Sequence, residues 1–140
     1  MTMSRLIYFS EKRELGPGGV EAILDTARSN NERNCLTGVL LFNRKFFLQC
    51  LEGGREEVTA TFGRIAADPR HGNVALVSVH DIDVRDFPDW TMGYVPTTSP
   101  EVNSVLRQFQ ETEDFDPRLL SSTTAVALMN AMRSMGRTTL

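Results

Sequence analysis

Two cysteines, six prolines and no long apolar run are the first constraints in this chain of 140 residues. Cys35 and Cys50 form no CxxC pair, so neither a disulfide framework nor a thiolate metal site is expected. No apolar stretch approaches the roughly 20 residues that a membrane helix needs. Met1 to Ser10 is too short and too mixed for a secretory signal, and Arg5 interrupts it. Charge of one sign is also scarce. Fifteen Lys and Arg against eighteen Asp and Glu leave a net charge of -3, with no basic footprint for nucleic acid or an anionic membrane. These absences point to a reduced, cytoplasmic protein. Its 41% apolar and 24% charged residues are an ordinary globular balance. One domain of this size buries about two-thirds of its unfolded surface, enough for its own core.

The familiar catalytic strings are missing as well. There is no GxSxG, no Walker loop, no GxGxxG and no HExxH. His71 and His80 have no cysteine or carboxylate at ligand spacing, so no metal site is expected, and His71 reads as a loop residue.

What is present is a regular succession of elements. Arg5 to Phe9 reads as a buried strand. Gly16-Pro17-Gly18-Gly19 breaks the chain, and Pro17 suits a first helical turn. Val20, Ile23, Leu24 and Ala27 then fall on one helical face, with Asn30-Asn31 as the expected stop. Leu36 to Phe42 and Phe46 to Glu52 predict a hairpin around Asn43-Arg44-Lys45. Glu56 and Glu57 open a second helix, whose buried face is Val58, Phe62, Ile65 and Ala66 and which Pro69 ends. Val74 to Ile82 predicts a fourth strand, and Trp90 to Val95 a fifth. The order is that of an α+β, ferredoxin-like β-α-β-β-α-β sheet with an added strand and two helices on one face.

After Pro96 the pattern turns helical. Ser99-Pro100 starts one helix, with an apolar stripe of Val102, Val105, Leu106 and Phe109. Asp116-Pro117 starts another, in which Leu128, Ala131, Met132 and Met135 repeat the spacing and Gly136 is the stop. This pair is expected to cap the second sheet face. The same stripes suit a second subunit equally well, so a homo-oligomer is expected. The division is an α+β domain over 1–96 and a helical extension over 97–140.

The strongest chemical signal is polar residues inside apolar strands. Tyr8 interrupts Leu6-Ile7-Tyr8-Phe9, and Gln49 interrupts Phe47-Leu48-Gln49-Cys50. A buried carboxamide left unpaired costs on the order of 1–3 kcal/mol, so Gln49 must have a partner. Two readings stand: the pair satisfies itself across neighbouring strands, or it serves a ligand. Trp90 and Met92 share strand parity and are expected on the same side of the sheet, where core packing accounts for them.

Six segments, RLIYFS, RSNN, LTGVLLF, FFLQCLEG, RIAADPRH and FPDWTMG, follow one another in a fixed order. In that order the chain resembles the BLUF family, sensors of blue light using FAD, from about Arg5 to Val95. The resemblance implies a photoreceptor that binds FAD non-covalently and signals to a separate protein partner without being an enzyme. It implies that Tyr8 is the essential tyrosine and Gln49 the switching glutamine. Asn31, with Asn30 beside it, bonds the pyrimidine side of the flavin. Ile23 and Ile65 sandwich the ring, Arg64 lies near its carbonyl edge, and Asp68 and His71 line the ring and ribityl chain. Trp90 and Met92 are the fifth-strand pair that exchanges with the signalling state. Cys50, next to Gln49, is not expected to form a flavin adduct. Two other readings remain: a ferredoxin-like hydrolase of acylphosphatase type, for which Arg13 would have to serve a phosphate loop, and a ligand-binding module that is not photoactive.

Overall fold

In the computed structural model, residues 2–111 and 114–135 are described. The first strand, β1 (Met3–Lys12), lies near the middle of a five-stranded sheet, because its alternation supplies an apolar set to each face. Helix α1 (Gly19–Asn34) crosses to β2 (Thr37–Phe42), which returns directly as β3 (Phe46–Gly54). The hairpin is tight because Asn43 Oδ1 accepts the backbone N–H groups of Lys45 and Phe46, at 2.9 and 2.8 Å. Helix α2 (Arg55–Ala67), β4 (His71–Ile82) and the short β5 (Gly93–Pro96) follow. The spatial order is β4-β1-β3-β2-β5, with β5 parallel to β2 and every other pair antiparallel. This is the expected α+β, ferredoxin-like sheet with a fifth strand.

Two cores result. Leu6, Tyr8, Leu40, Phe47 and Leu51 face Ile23 and Leu24 of α1 and Val58 of α2. On the opposite face, Ile7, Val39, Leu41, Leu48 and Cys50 pack against α3 (Pro100–Leu106) and α4 (Ser122–Met132). The carboxy-terminal stripes are thus buried within one chain, led by Val102, Leu106, Leu128 and Met132. The β2–β3 contact is close at Gly38, where any Cβ would stand 1.9 Å from the Cys50 carbonyl oxygen. Only glycine fits there.

Several boundaries differ from the sequence reading, each for a local reason. Helix α1 begins after Pro17, with Gly18 at its cap in a left-handed conformation. It does not stop at Asn30-Asn31 but runs another turn to Asn34, where Cys35 takes the left-handed cap position (φ 57°). On α2, Thr61 is buried and Ala66 is exposed, so the inward face runs through 58, 61, 62 and 65. Strand β4 starts early, at His71, which is therefore a strand residue. The helix expected from Asp116 is split by two successive caps. Asp116 accepts from the Arg118 N–H and closes a 3-10 turn, and Ser121 Oγ accepts from the Thr124 N–H to start α4. On α4 the stripe is Ala125, Leu128, Met129 and Met132, with Ala131 exposed. Gly136 lies outside the described residues.

Candidate functional site

Strand alternation sends Tyr8 and Gln49 to the same face, and the β1–β3 register places them directly opposite each other. Both are buried, and the Tyr8 hydroxyl donates a hydrogen bond to Gln49 Oε1. The other end of the carboxamide points at Met92, with Gln49 Nε2 3.6 Å from Sδ. Burial pushes the Tyr8 phenol far above its ordinary pKa, and the Asp68 carboxylate adds to the shift. At any ordinary pH this phenol is a neutral donor.

A cavity of about 720 Å³ opens beside Gln49. Its walls come from α1 (Ile23, Ala27, Asn30, Asn31), α2 (Thr61, Arg64, Ile65), and the corner into β4 (Asp68, Arg70, His71). Of the nine residues expected to hold a cofactor, eight line it, and Tyr8 stands behind Gln49. The side chains at its rim are already linked. Asn30 Nδ2 donates to Thr61 Oγ1 at 2.9 Å, and Arg64 bonds Asn30 Oδ1. Asn31 Nδ2 donates to the Thr91 carbonyl at 2.7 Å, tying α1 to the segment that enters β5. Arg70 pairs with Asp68 at 2.7 Å and holds that carboxyl below its usual range. His71 Nδ1 shares a hydrogen bond of 2.8 Å with Ser10 Oγ, and its ring packs on Phe47 and on the edge of Tyr8.

Sequence reasoning missed Thr61, Ser10 and Arg28. Thr61 lies three and four residues before Arg64 and Ile65, and so shares their face. Ser10 shares the parity of Tyr8. Arg28 lies three residues before Asn31, and its Nε donates to the Met92 carbonyl at 3.2 Å. In each case the spacing held the signal.

Trp90 and Met92 need a correction. Both precede β5, so strand parity does not govern them. Met92 joins the core containing Tyr8, whereas Trp90 packs with the opposite core and stacks on Phe87 at 5.7 Å. The strand begins only at Gly93, where a Cβ would meet the Trp90 ring at 2.4 Å. Arg13, the residue a phosphate loop would need, pairs instead with Glu11 and packs over Gly72. Among the described residues, no group of His, Cys, Asp or Glu is placed to hold a metal ion. Nor is any helix there long and apolar enough to cross a membrane.

Burial also pushes the His71 imidazole down to about 4, against the opposing pull of Asp68. An unfolded histidine, near ~6.5, binds a proton in the window between those values, and the folded one does not. Stability is therefore full above the unfolded value and falls as the pH drops through this window, by about 3 kcal/mol at its lower end. Asp68 acts in the same direction. His71→Gln is expected to flatten this acid limb in urea unfolding measured across the window.

The cavity combines apolar and polar walls. Ile23 and Ile65 supply apolar walls, and amide, guanidinium and imidazole groups converge around them. The profile of the BLUF family, described as sensors of blue-light using FAD, matches residues 3–93. This chain is a member of the BLUF family.

The BLUF protein BlrB, in its dark-state structure, superposes with a TM-score of 0.80 at 30% identity, over 96% of each chain. The photo-activated state of BlsA gives 0.83 at 31% identity, over 92% of this chain and 93% of that one. A photoactivated adenylate cyclase subunit beta from Euglena gracilis is 33% identical over 113 residues, 76% of this chain. The chain spans only 13% of that relative's length. The blue light- and temperature-regulated antirepressor BluF of Escherichia coli (strain K12) is 38% identical over 86 residues, 61% of this chain and 21% of that protein. The family that the matched residues belong to is described as sensors.

Proposed function

We propose that this chain is a blue-light photoreceptor that holds FAD in the cavity between α1 and α2 and is switched by the Tyr8–Gln49 pair. The observation that carries the proposal is the buried, directly paired phenol and carboxamide at the wall of that cavity. Ile23 and Ile65 would flank the ring. Asn31, Asn30 and Arg64 would meet its polar edge, and Asp68 and His71 would line its inner end and ribityl chain. Membership in a family described as using FAD, together with these donors, supports that cofactor.

The flavin supplies an electron and proton acceptor once excited by blue light. Tyr8 would be the group that releases an electron and its phenolic proton and takes both back, so no substrate would be consumed. Gln49 Oε1, which accepts the Tyr8 hydroxyl, would be the first group that proton meets. A carboxamide has a donor end and an acceptor end, and reversing or tautomerising it exchanges the bonds it makes. A rearranged Gln49 would offer a stronger hydrogen bond to the ring carbonyl and give up its contact with Met92 Sδ. Met92 and Trp90, on opposite sides of the sheet, would then be the first residues to readjust, with β5 and the carboxy-terminal helices carrying the change onward. One rearranged hydrogen bond is worth about 1 kcal/mol net, enough to bias a two-state element modestly.

A separate protein in the cytoplasm is the proposed receiver. The relatives are an adenylate cyclase subunit and an antirepressor, which supports an output made through another domain or protein. Exposed Leu76 and Val79 on the edge strand β4 support a homo-oligomer as the working unit. The test is a spectrum of the flavin-loaded protein before and after blue illumination, with the extracted chromophore identified. A small red shift that decays in the dark is expected. A yellow protein whose spectrum ignores light would leave a flavin-binding module that is not photoactive.

A further inference from the structure

Tyr8–Gln49 is one rung of the β1–β3 ladder, and three rungs along it Arg5 stands opposite Glu52. An odd offset sends the two pairs to opposite faces of the same two strands. One pair faces the cavity; the other faces α4.

Glu52 is fully buried, and its carboxylate is completely engaged. Oε2 accepts from Arg5 Nε at 2.9 Å and from the Asp86 N–H at 3.0 Å, and Oε1 accepts from the Phe87 N–H at 2.9 Å. A buried carboxylate needs such compensation. Here it fastens the segment between β4 and β5, which ends at Trp90 and Met92. Arg85 fastens the same segment to the Cys35 and Glu52 carbonyls and to Thr37. Arg5 also reaches Asp86 Oδ2 at 2.7 Å. From the other side, Asn130 of α4 donates to Asp86 Oδ2 at 3.4 Å, and Arg133 just beyond α4 donates to the Asp86 carbonyl at 2.7 Å. Phe87 stacks on Trp90, and the Arg133 guanidinium also lies against its ring.

We propose that the Arg5–Glu52 pair is the output joint of this photoreceptor, with Glu52 as a positioning residue that couples the strand bearing Gln49, through Asp86 and Phe87, to α4. The inference rests on the photoreceptor reading above. Apolar contacts between α4 and the sheet are non-directional and tolerate sliding. A carboxylate held by a guanidinium and two backbone N–H groups has a fixed geometry, so a displacement of β3 is passed to residues 86 and 87 instead of being absorbed.

The test uses the full, flavin-loaded chain in the dark and under steady blue light, comparing wild type, Glu52→Gln and Arg133→Ala. The carboxamide of Glu52→Gln keeps the shape but can accept only at one end, so one backbone N–H loses its partner. Both variants are expected to bind flavin and to show the wild-type light-minus-dark absorption shift. Wild type is expected to change its hydrogen exchange over 122–132 on illumination, and both variants to lose that change. Should Glu52→Gln fail to fold, Asp86→Asn takes its place beside Arg133→Ala, which lies at the exposed end of the joint. An undiminished exchange difference in the variants, or none over 122–132 in wild type, would overturn the joint while leaving a normal spectral shift. A wild type with no spectral shift would overturn the photoreceptor reading itself, and the joint with it.

Discussion

Tyr8→Phe is expected to give a folded, yellow protein whose absorption no longer shifts under blue light. The ring keeps its volume and its contacts with Phe62 and His71, whose centroids lie 5.6 and 6.1 Å away, so the core stays filled. What disappears is the hydroxyl that donates to Gln49 Oε1. Phenylalanine has no proton to release and is far harder to oxidise, so the proposed transfer has no donor. A stability loss of about 1–3 kcal/mol is expected from the unpaired carboxamide oxygen, and it separates from the photochemistry in a denaturant titration. Emission provides a second readout. Electron transfer from tyrosine quenches an excited flavin, so Tyr8→Phe is expected to fluoresce more strongly than wild type. A light-minus-dark spectrum like that of wild type would remove Tyr8 from the mechanism.

Gln49→Leu is expected to lose the lasting shift as well, but for a different reason. Leucine suits the apolar neighbours Phe47 and Leu51 yet has neither a donor nor an acceptor end. Tyr8 remains oxidisable, so emission is expected to stay quenched while nothing persists after the electron returns. The phenol is left buried without its acceptor, again at about 1–3 kcal/mol. The two variants thus agree in difference absorption and diverge in fluorescence. That divergence separates the electron donor from the rearranging group.

Much of this was legible in the sequence, because period and punctuation fix the sheet. Alternation in β1 and β3 brought Tyr8 and Gln49 to one face, and the apolar stripes of Ile23-Leu24 and Leu128-Met132 assigned helices to the two faces. Local rules failed where tertiary contacts compete with them. Asn30 and Asn31 read as a helix stop by propensity, yet their side chains are buried in bonds to Thr61 and Thr91, which hold the helix on to Asn34. Trp90 and Met92 read as strand neighbours, yet Gly93 and the Phe87–Trp90 stack delay β5 and send the two apart. The grip of Glu52 on Asp86 and Phe87 spans more than thirty residues and uses backbone N–H groups, which no side-chain pattern reveals.

The most direct test of the switch is an infrared difference spectrum, lit minus dark, of the flavin-loaded chain and of Gln49→Leu. A rearranged carboxamide predicts that the flavin C4 carbonyl stretch moves to lower frequency on illumination in wild type and stays in place in the variant. A wild-type carbonyl band that light leaves unmoved would contradict the claim that Gln49 changes its bond to the ring.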